Sequence, residues 1–359
     1  TRRAPSGARS GCGRSLMMMR TSTRRAPSGA RSGCGRSFAR LSKATRRDQE
    51  AACDDARSRR DVFLSLTAGF VGIGACSGED GPLRSIAIAA AEEELLPVKS
   101  LPKGAKQTQT QEVLDLIKDG VKMHVTEDYR SCLQLALLDA LSYDKDAKSG
   151  GANGSIGNFP EELKALGLEG SLKTAVDQIR KAKEHAEKAS AFPLELSMAD
   201  AIVFAAYYKV RSNFIAKIIA KAKDQTSANI ILQGYGNDFP PPPLGRLDAT
   251  APDAAAPTLT TAALVDRALA AGLTAGNVSA LAACFPTGGL EEVENEMRTQ
   301  NKKFGFYVKS NQQSRETVTQ TNYQIDFSNA FSKLSTLGAK FDVERYYHPI
   351  PKQGLPKKL

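Results

Sequence analysis

The 359-residue sequence predicts a mainly α-helical protein. Apolar residues recur at helical spacing through most of residues 112–337, whereas the alternating runs that would indicate strands are few. Residues that begin and end helices also support the helical class, because Thr274 can cap a helix that ends before Pro286. The pattern predicts helices at Glu112–Asp119, Glu127–Leu141, Ser171–Lys188, Ser197–Val210, Ser212–Lys223, Thr261–Ala271, Thr274–Phe285, Leu290–Asn301 and Asp326–Leu337.

A proline-rich segment interrupts this helical body. Asp238–Pro243 reads Asp-Phe-Pro-Pro-Pro-Pro, which cannot form a regular helix or an internal strand. We therefore expect an extended connector at this point. It divides the predicted body into residues 92–239 and residues 240–359.

The basic charge of the chain is concentrated near its start. The formal net charge is +10, from 49 Lys and Arg against 39 Asp and Glu. Residues 1–91 hold 17 of the basic and 7 of the acidic residues, which leaves 32 of each in residues 92–359. Because this body is formally neutral, its charge does not call for a nucleic-acid partner.

Cysteine and histidine give no metal or disulfide motif. Two cysteines in the body, Cys132 and Cys284, are too few for a disulfide framework. The three histidines lack the spacing of a zinc site, and no CxxC occurs. The sequence therefore predicts no metal ligands. The histidines are His124, His185 and His348.

The first residues have the composition of a transit peptide. Thr1–Ser15 recurs at Thr23–Ser37, and residues 17–47 are rich in Arg, Ser and Ala without an acidic residue. That composition is typical of chloroplast or mitochondrial import, so we assign residues 1–57 to a chloroplast transit peptide. Residues 1–16 are a candidate gene-model extension, since Met17 follows them. A disordered basic arm is the alternative.

An export signal follows the transit peptide. Arg59 and Arg60 precede an apolar run of about 15 residues, shorter than the ~20 of a transmembrane helix, and small residues follow near Ala90. Paired arginines before such a run predict twin-arginine export by residues 58–91. The two signals in series indicate the thylakoid lumen. The mature protein would then begin near Ala90–Glu92, without a transmembrane segment.

Five motifs follow one another along the body: LQLALL at residues 133–138, YDKDAKSGGANGSI at 143–156, LSMAD at 196–200, GRLD at 245–248 and FSKLSTLG at 331–338. In this order they resemble motifs of the plant ascorbate peroxidases, in class I of the haem peroxidases. The resemblance spans most of residues 112–338. It implies the two-lobed haem-peroxidase fold, with a distal lobe in residues 92–239 and a proximal lobe in residues 240–359.

The same resemblance implies that the catalytic positions are lost. Gln134 stands where the family has its distal Arg, Leu137 at its distal aromatic residue and Leu138 at its distal His. Phe285 stands at the position of the His that binds haem iron, and Glu294 at that of an Arg that contacts ascorbate. Leucine supplies no base, glutamine no cation and phenylalanine no lone pair for iron. We therefore expect no haem, no other cofactor and no catalytic residue.

The expected function is non-catalytic. The resemblance implies a peroxidase-like protein of the thylakoid lumen, peripherally attached to a thylakoid membrane complex, with photosystem II as the implied partner. Two alternatives remain open at this point. One is a divergent lumenal haem peroxidase with another iron ligand, such as the thiolate of Cys284. The other is a small-molecule carrier that uses the vacated haem slot.

Overall fold

The computed structural model of the protein describes residues 95–167, 170–253 and 259–352. Its helices are α1 (Lys103–His124), α2 (Tyr129–Ala140), α3 (Ser155–Asn158), α4 (Pro160–Ala165), α5 (Ser171–Ala189), α6 (Met198–Lys221), α7 (Gln225–Asp238), α8 (Thr261–Ala270), α9 (Ala275–Ala280), α10 (Leu290–Gln300), α11 (Lys302–Glu316) and α12 (Thr321–Leu334). The predicted mainly α class is confirmed. The predicted targeting segments, residues 1–57 and 58–91 with Arg59 and Arg60, lie outside the described residues.

Two short strands join the ends of the described chain. β1 (Leu95–Leu96) pairs antiparallel with β2 (Ile350–Pro351), with Leu95 opposite Pro351. Short 3₁₀ helices lie at Val98–Ser100 and at Leu281–Cys284. The ribbon fixes the start of α1 beside the end of the chain, and Gln109 of α1 exchanges hydrogen bonds with the backbone of His348.

The first helices pack around α6. Helix α1 buries Val113, Ile117 and Val121 on one face, as its apolar spacing dictates, and it packs against α5 and α6. Gly120 allows a close approach to α5, because a Cβ atom there would lie 2.5 Å from the backbone oxygen of Ala182. Helix α2 packs on α5 and α6 and also reaches the 3₁₀ helix Leu281–Cys284.

Helix α6 is one continuous helix rather than two. Ser197 caps it by accepting a hydrogen bond from the Asp200 amide at 3.1 Å, and residues 198–207 are buried throughout. The prediction of separate helices at Ser197–Val210 and Ser212–Lys223 was wrong at their junction. Neither Arg211 nor Ser212 is a proline or a glycine, so the helix continues through both residues.

The helix predicted at Thr274–Phe285 ends earlier. Thr274 caps α9 as predicted, in a capping box with Asn277, but α9 ends at Ala280 and the chain continues as the 3₁₀ helix. Phe285 itself is extended, with φ −74° and ψ 136°. The reason is Pro286, whose ring disfavours the helical conformation in the preceding residue.

Several helical stretches are absent from the predicted ranges. The longest are α7, α11 and the first turns of α1, which begins at Lys103 rather than at Glu112, and the short helices α3 and α4 and the first turn of α12 are also absent. Helix α11 buries only Phe304, Val308 and Asn311, so its apolar stripe is too thin to stand out in the sequence. The proline-rich connector follows α7, and residues 239–245 form no regular secondary structure, in agreement with the prediction.

A buried ion pair ties α6 to the segment after the connector. Asp200 Oδ1 lies 2.8 Å from Arg246 Nη1, and both side chains are fully buried. The other oxygen of Asp200 accepts hydrogen bonds from the backbone amides of Gly245 and Arg246 and from the hydroxyl of Tyr346. Arg246 Nε donates to the carbonyl of Ser335, just after α12, at 2.9 Å. We refer to this set as the Asp200–Arg246 framework.

Candidate functional site: the slot between helix α2 and Phe285

The four predicted site residues lie on two facing segments. Gln134, Leu137 and Leu138 are on α2, and Phe285 directly follows the 3₁₀ helix that packs on α2. Leu137 and Leu138 are each 1% exposed and Phe285 is 0% exposed. All three belong to one continuous apolar core, so the space between the two segments is lined by hydrocarbon at these positions.

Side chains of α2 bond directly to the backbone across this slot. Gln134 Nε2 donates to the carbonyl of Phe285 at 3.3 Å. Arg130 Nη2 donates to the same carbonyl at 3.3 Å and also to the carbonyl of Gly288. These contacts join the position of the family's distal Arg directly to the backbone at the position of its iron ligand.

The residues present do not fit haem. Phe285 has no lone pair to offer iron, and the buried Leu138 cannot accept a proton from peroxide. Within residues 95–352, apart from the two short gaps, no three His, Cys, Asp or Glu side chains are grouped so as to hold a metal ion. At these positions the side chains of Phe285 and Leu138 supply neither an iron ligand nor a base for peroxide.

The two cysteines of the body are both buried free thiols. Burial raises the pKa of Cys132 to about 12, with a smaller opposing effect of Lys209. Burial also raises the pKa of Cys284, and further, although Arg130 opposes the shift. A thiolate is the form that binds a metal, and burial disfavours the charged thiolate of Cys284.

Glu294, at the position of the family's ascorbate-binding Arg, is part of the interior. It is fully buried, and its carboxylate lies 2.7 Å from Arg315 Nη2 and accepts a hydrogen bond from Gln312 at 2.8 Å. The guanidinium of Arg315 lies over the ring of the buried Tyr323, 5.0 Å from its centroid. Through these contacts the carboxylate of Glu294 holds α10, α11 and α12 together.

Arg130 and a second ionisable residue beside the slot, Asp139, were missed from the sequence. Asp139 directly follows Leu138, is 1% exposed and accepts hydrogen bonds from the amides of Gly154, at 2.9 Å, and Ile156, at 3.4 Å. Burial raises its pKa to about 8, and these two hydrogen bonds partly oppose the shift. It holds the loop before α3 against α2. A lone Asp in the apolar stretch of α2 was the available signal.

The histidines lie on neither face of the slot. The rings of His124 and His185, near the ends of α1 and α5, have centroids 5.1 Å apart. His348 stacks on Phe192 at 4.1 Å. None of the three belongs to α2 or to the segment around Phe285, so none can take the place of either lost histidine.

The chain belongs to the peroxidase family, which residues 111–355 match. It is similar to the thylakoid lumenal 29 kDa protein of Arabidopsis thaliana, with 32% identity over 242 residues that cover 63% of this chain and 66% of that protein. The protein of the same name from Solanum lycopersicum is 29% identical over 315 residues, which cover 85% of this chain and 86% of that protein.

A solved structure agrees with this assignment. The crystal structure of the TL29 protein from Arabidopsis thaliana matches with a TM-score of 0.59 and 31% identity, covering 68% of this chain and 98% of that one. The predicted peroxidase fold is therefore confirmed. Both named relatives are chloroplastic proteins of the thylakoid lumen, which confirms the predicted location. Among the described helices, none is long and apolar enough to cross a membrane.

Proposed function

We propose that this chain is a non-catalytic, peroxidase-like protein that attaches peripherally to a photosynthetic complex on the lumenal side of the thylakoid membrane. The observation that carries the proposal is Phe285, a fully buried apolar side chain at the iron-ligand position, whose carbonyl is bonded directly by Gln134. Photosystem II is the partner that the family resemblance implies.

The proposal rests on three separate losses, the first of which is the iron ligand, because Phe285 has no lone pair. Peroxide activation needs a base within hydrogen-bond reach, and Leu138 has none. It also needs a cation to stabilise the departing oxygen, and Gln134 is neutral. Arg130, one turn before Gln134, is a cation on the same helix, but its guanidinium donates to two backbone carbonyls of the segment around Phe285. Restoring any one group would leave the other functions missing.

A thiolate-ligated peroxidase is the enzyme alternative, and Cys284 is its candidate ligand. The buried, protonated state of Cys284 argues against it. The test is an ascorbate-dependent peroxide assay of the protein supplied with haem, beside a Cys284→Ala variant. We expect no turnover above that of free haem in either protein. Turnover that Cys284→Ala abolishes would establish the enzyme and overturn the proposal.

Peripheral attachment has its own test. Exposed charge contacts weaken at high ionic strength, so a salt wash of opened thylakoids should release the protein from the membrane fraction. At low salt it should co-migrate with a photosystem II complex on a native gel. Recovery entirely in the free lumen fraction at low salt, without co-migration, would contradict attachment and leave the proposal of catalytic inactivity standing.

Twin-arginine export by residues 58–91 is part of the same proposal. Changing Arg59→Lys together with Arg60→Lys should block passage into the lumen in a chloroplast import assay, because the pathway reads the arginine pair. The precursor would then accumulate outside the lumen. Normal arrival of the doubly substituted chain in the lumen would contradict the assignment.

A further inference from the structure

A cleft of about 800 Å³ opens between α1 and α6, away from the slot. The segment between α1 and α2 and Pro241 of the connector complete its walls. Neither Phe285 nor Gln134, Leu137 or Leu138 lines it. Its volume lies in the range of pockets that enclose small organic ligands.

The walls of the cleft offer apolar and aromatic surface. Leu114, Val121 and Val125 line it together with the rings of Tyr207 and Tyr208. Both phenol groups are fixed: Tyr208 donates to the carbonyl of Leu114 at 2.9 Å and Tyr207 to the carbonyl of Phe239 at 3.0 Å. Tyr207 is 1% exposed, so it is the partly exposed ring of Tyr208, with its hydroxyl bonded to the protein, that presents rigid stacking surface to a ligand.

The charged groups of the cleft have an excess of positive charge. The lining carboxylates are those of Asp115 and Asp128, and the latter accepts a hydrogen bond from the Tyr129 amide as the cap of α2. The lining side chains also include four cations, so the formal excess is two positive charges. The cations are Lys118, Lys122, Lys209 and Arg211.

An unsatisfied donor lies in the same wall. Asn213 Nδ2 is buried and has no hydrogen-bond partner in the protein, although Asn213 lines the cleft. A buried donor without an acceptor is costly, which favours a bound group that can accept from it. Lys209 already donates to the carbonyl of Val125 and Arg211 to the hydroxyl of Tyr207. The unsatisfied amide requires an acceptor and the excess positive charge favours an anionic one, whereas the apolar walls favour an apolar body.

We propose that this cleft binds a small organic anion: an aromatic or similarly flat apolar body that carries a carboxylate, sulfonate or phosphate. The apolar body lies against Tyr208 and Val121, and the anionic group lies among Lys118, Lys122 and the Asn213 amide. The site is independent of the slot and of whether the chain has peroxidase activity. It differs from the vacated haem position, whose residues do not line the cleft.

The test uses two matched fluorescent probes on the full folded chain. The first is 8-anilinonaphthalene-1-sulfonate, and the second is N-phenyl-1-naphthylamine, which has the same ring system without the sulfonate. We expect the sulfonate to bind at one site per chain, and the uncharged probe to bind at least about tenfold more weakly, because only the former uses the cations. Titrations are made well below the unfolding temperature, with near-UV circular dichroism confirming native packing.

Two variants locate the site. Lys118→Gln with Lys122→Gln should weaken binding of the sulfonate by about 5- to 10-fold. The matched control, Lys302→Gln with Lys303→Gln on exposed positions of α11, removes the same charge elsewhere and should change affinity less than about twofold. Ala216→Trp, at an exposed residue of the cleft wall, should block both probes by occupying the space.

Three results would overturn the proposal. Equal affinity for the two probes would show that the cleft does not prefer an anionic ligand. Unchanged binding in both Lys118→Gln/Lys122→Gln and Ala216→Trp would place the probe elsewhere. Absence of stoichiometric binding by a chain with native near-UV circular dichroism would mean that the cleft is not a site. Should the lysine pair fail to fold, Ala216→Trp and the comparison of probes decide alone.

Discussion

The Asp200–Arg246 framework and the slot are both fully buried, yet they have opposite chemistry. In the framework, a carboxylate and a guanidinium are surrounded by hydrogen bonds from several segments. In the slot, Leu138 and Phe285 fill the interior with hydrocarbon. The family motifs that this chain retains, LSMAD and GRLD, contribute to the framework, whereas the positions it has replaced are those that the family uses for chemistry.

The difference separates the residues that hold the fold together from the positions that the family uses for catalysis. Asp248 of the GRLD motif accepts hydrogen bonds from the amides of Met198 and Ala199 at the start of α6, so this motif fixes the helix as well as the connector. Removing such a group leaves buried polar atoms without partners, which is strongly destabilising. Replacing a polar residue by a well-packed apolar one has no such penalty, so the fold tolerates Leu138 and Phe285 at the family's catalytic positions.

The framework should show the largest stability loss. Arg246→Met leaves the buried carboxylate of Asp200 without its cation, and we expect the free energy of unfolding to fall by about 3–5 kcal/mol. Urea denaturation measures it. The matched control is Lys188→Met, which removes an exposed ion pair with Glu184 and should cost less than about 0.5 kcal/mol. Equal losses in the two variants would mean that the buried framework stabilises the fold no more than an exposed ion pair does.

The slot should behave as packed core. Leu138→Ala removes buried methyl groups and leaves a cavity, so we expect a loss of about 2–5 kcal/mol in the free energy of unfolding. Ile230→Ala, at a side chain that is 66% exposed, serves as the control and should stay within about 0.5 kcal/mol of wild type. A loss below about 1 kcal/mol for Leu138→Ala would indicate that the slot is loosely filled or empty.

Restoring the lost iron ligand should weaken the protein without restoring activity. Phe285→His places a polar ring in an apolar core without a partner, at a cost of about 1–3 kcal/mol. The distal side would still lack base and cation, so peroxide turnover should remain absent. Urea denaturation and a peroxide assay with added haem check both parts. A stabilised variant, or one with ascorbate-dependent turnover, would contradict the separation of fold from chemistry.

Asp139 should make stability depend on pH. Its pKa is raised in the folded state from 3.8 to about 8, so the folded chain holds this proton more tightly than the unfolded chain. The stabilisation is complete below the unfolded pKa and is lost as pH rises toward 8. Between pH 5 and 7 we expect the free energy of unfolding to fall by on the order of 2 kcal/mol.

Asp139→Asn should flatten that dependence, because the amide cannot ionise. Asp177→Asn, at an exposed position of α5, is the control and should retain the wild-type slope. The neighbouring carboxylates of Asp253 and Glu162 contribute to the raised pKa of Asp139, so a residual slope from Glu162, whose pKa is also raised by burial, is expected. An unchanged slope in Asp139→Asn would assign the dependence to other groups.

Helices with strong apolar stripes could be predicted from the sequence, and thin ones could not. The spacing located α5, α8 and α10 nearly to the residue, because each buries a regular face. Helix α11 was missed because it gains its stability from tertiary contacts that spacing does not reveal. The early end of the helix before Phe285 depends on one local effect, the proline that follows it.

The site was predicted as a set of positions but not as a geometry. The resemblance placed Gln134 and Phe285 on opposite sides of one slot, and the structure brings them together. Their direct hydrogen bond joins residues 151 positions apart, which no local pattern encodes. The same limit applies to Asp139, whose partners lie in the following loop, and to the cleft, which forms only once α1 and α6 pack together.

The most direct test of the central claim is a haem titration of the wild-type protein, followed by gel filtration and a visible absorption spectrum. Because Phe285 offers no ligand and Gln134 bonds across the slot, we predict that no Soret absorbance elutes with the protein at a stoichiometric level. A Soret band at one haem per chain that survives gel filtration would contradict the claim that this peroxidase fold has lost its cofactor site.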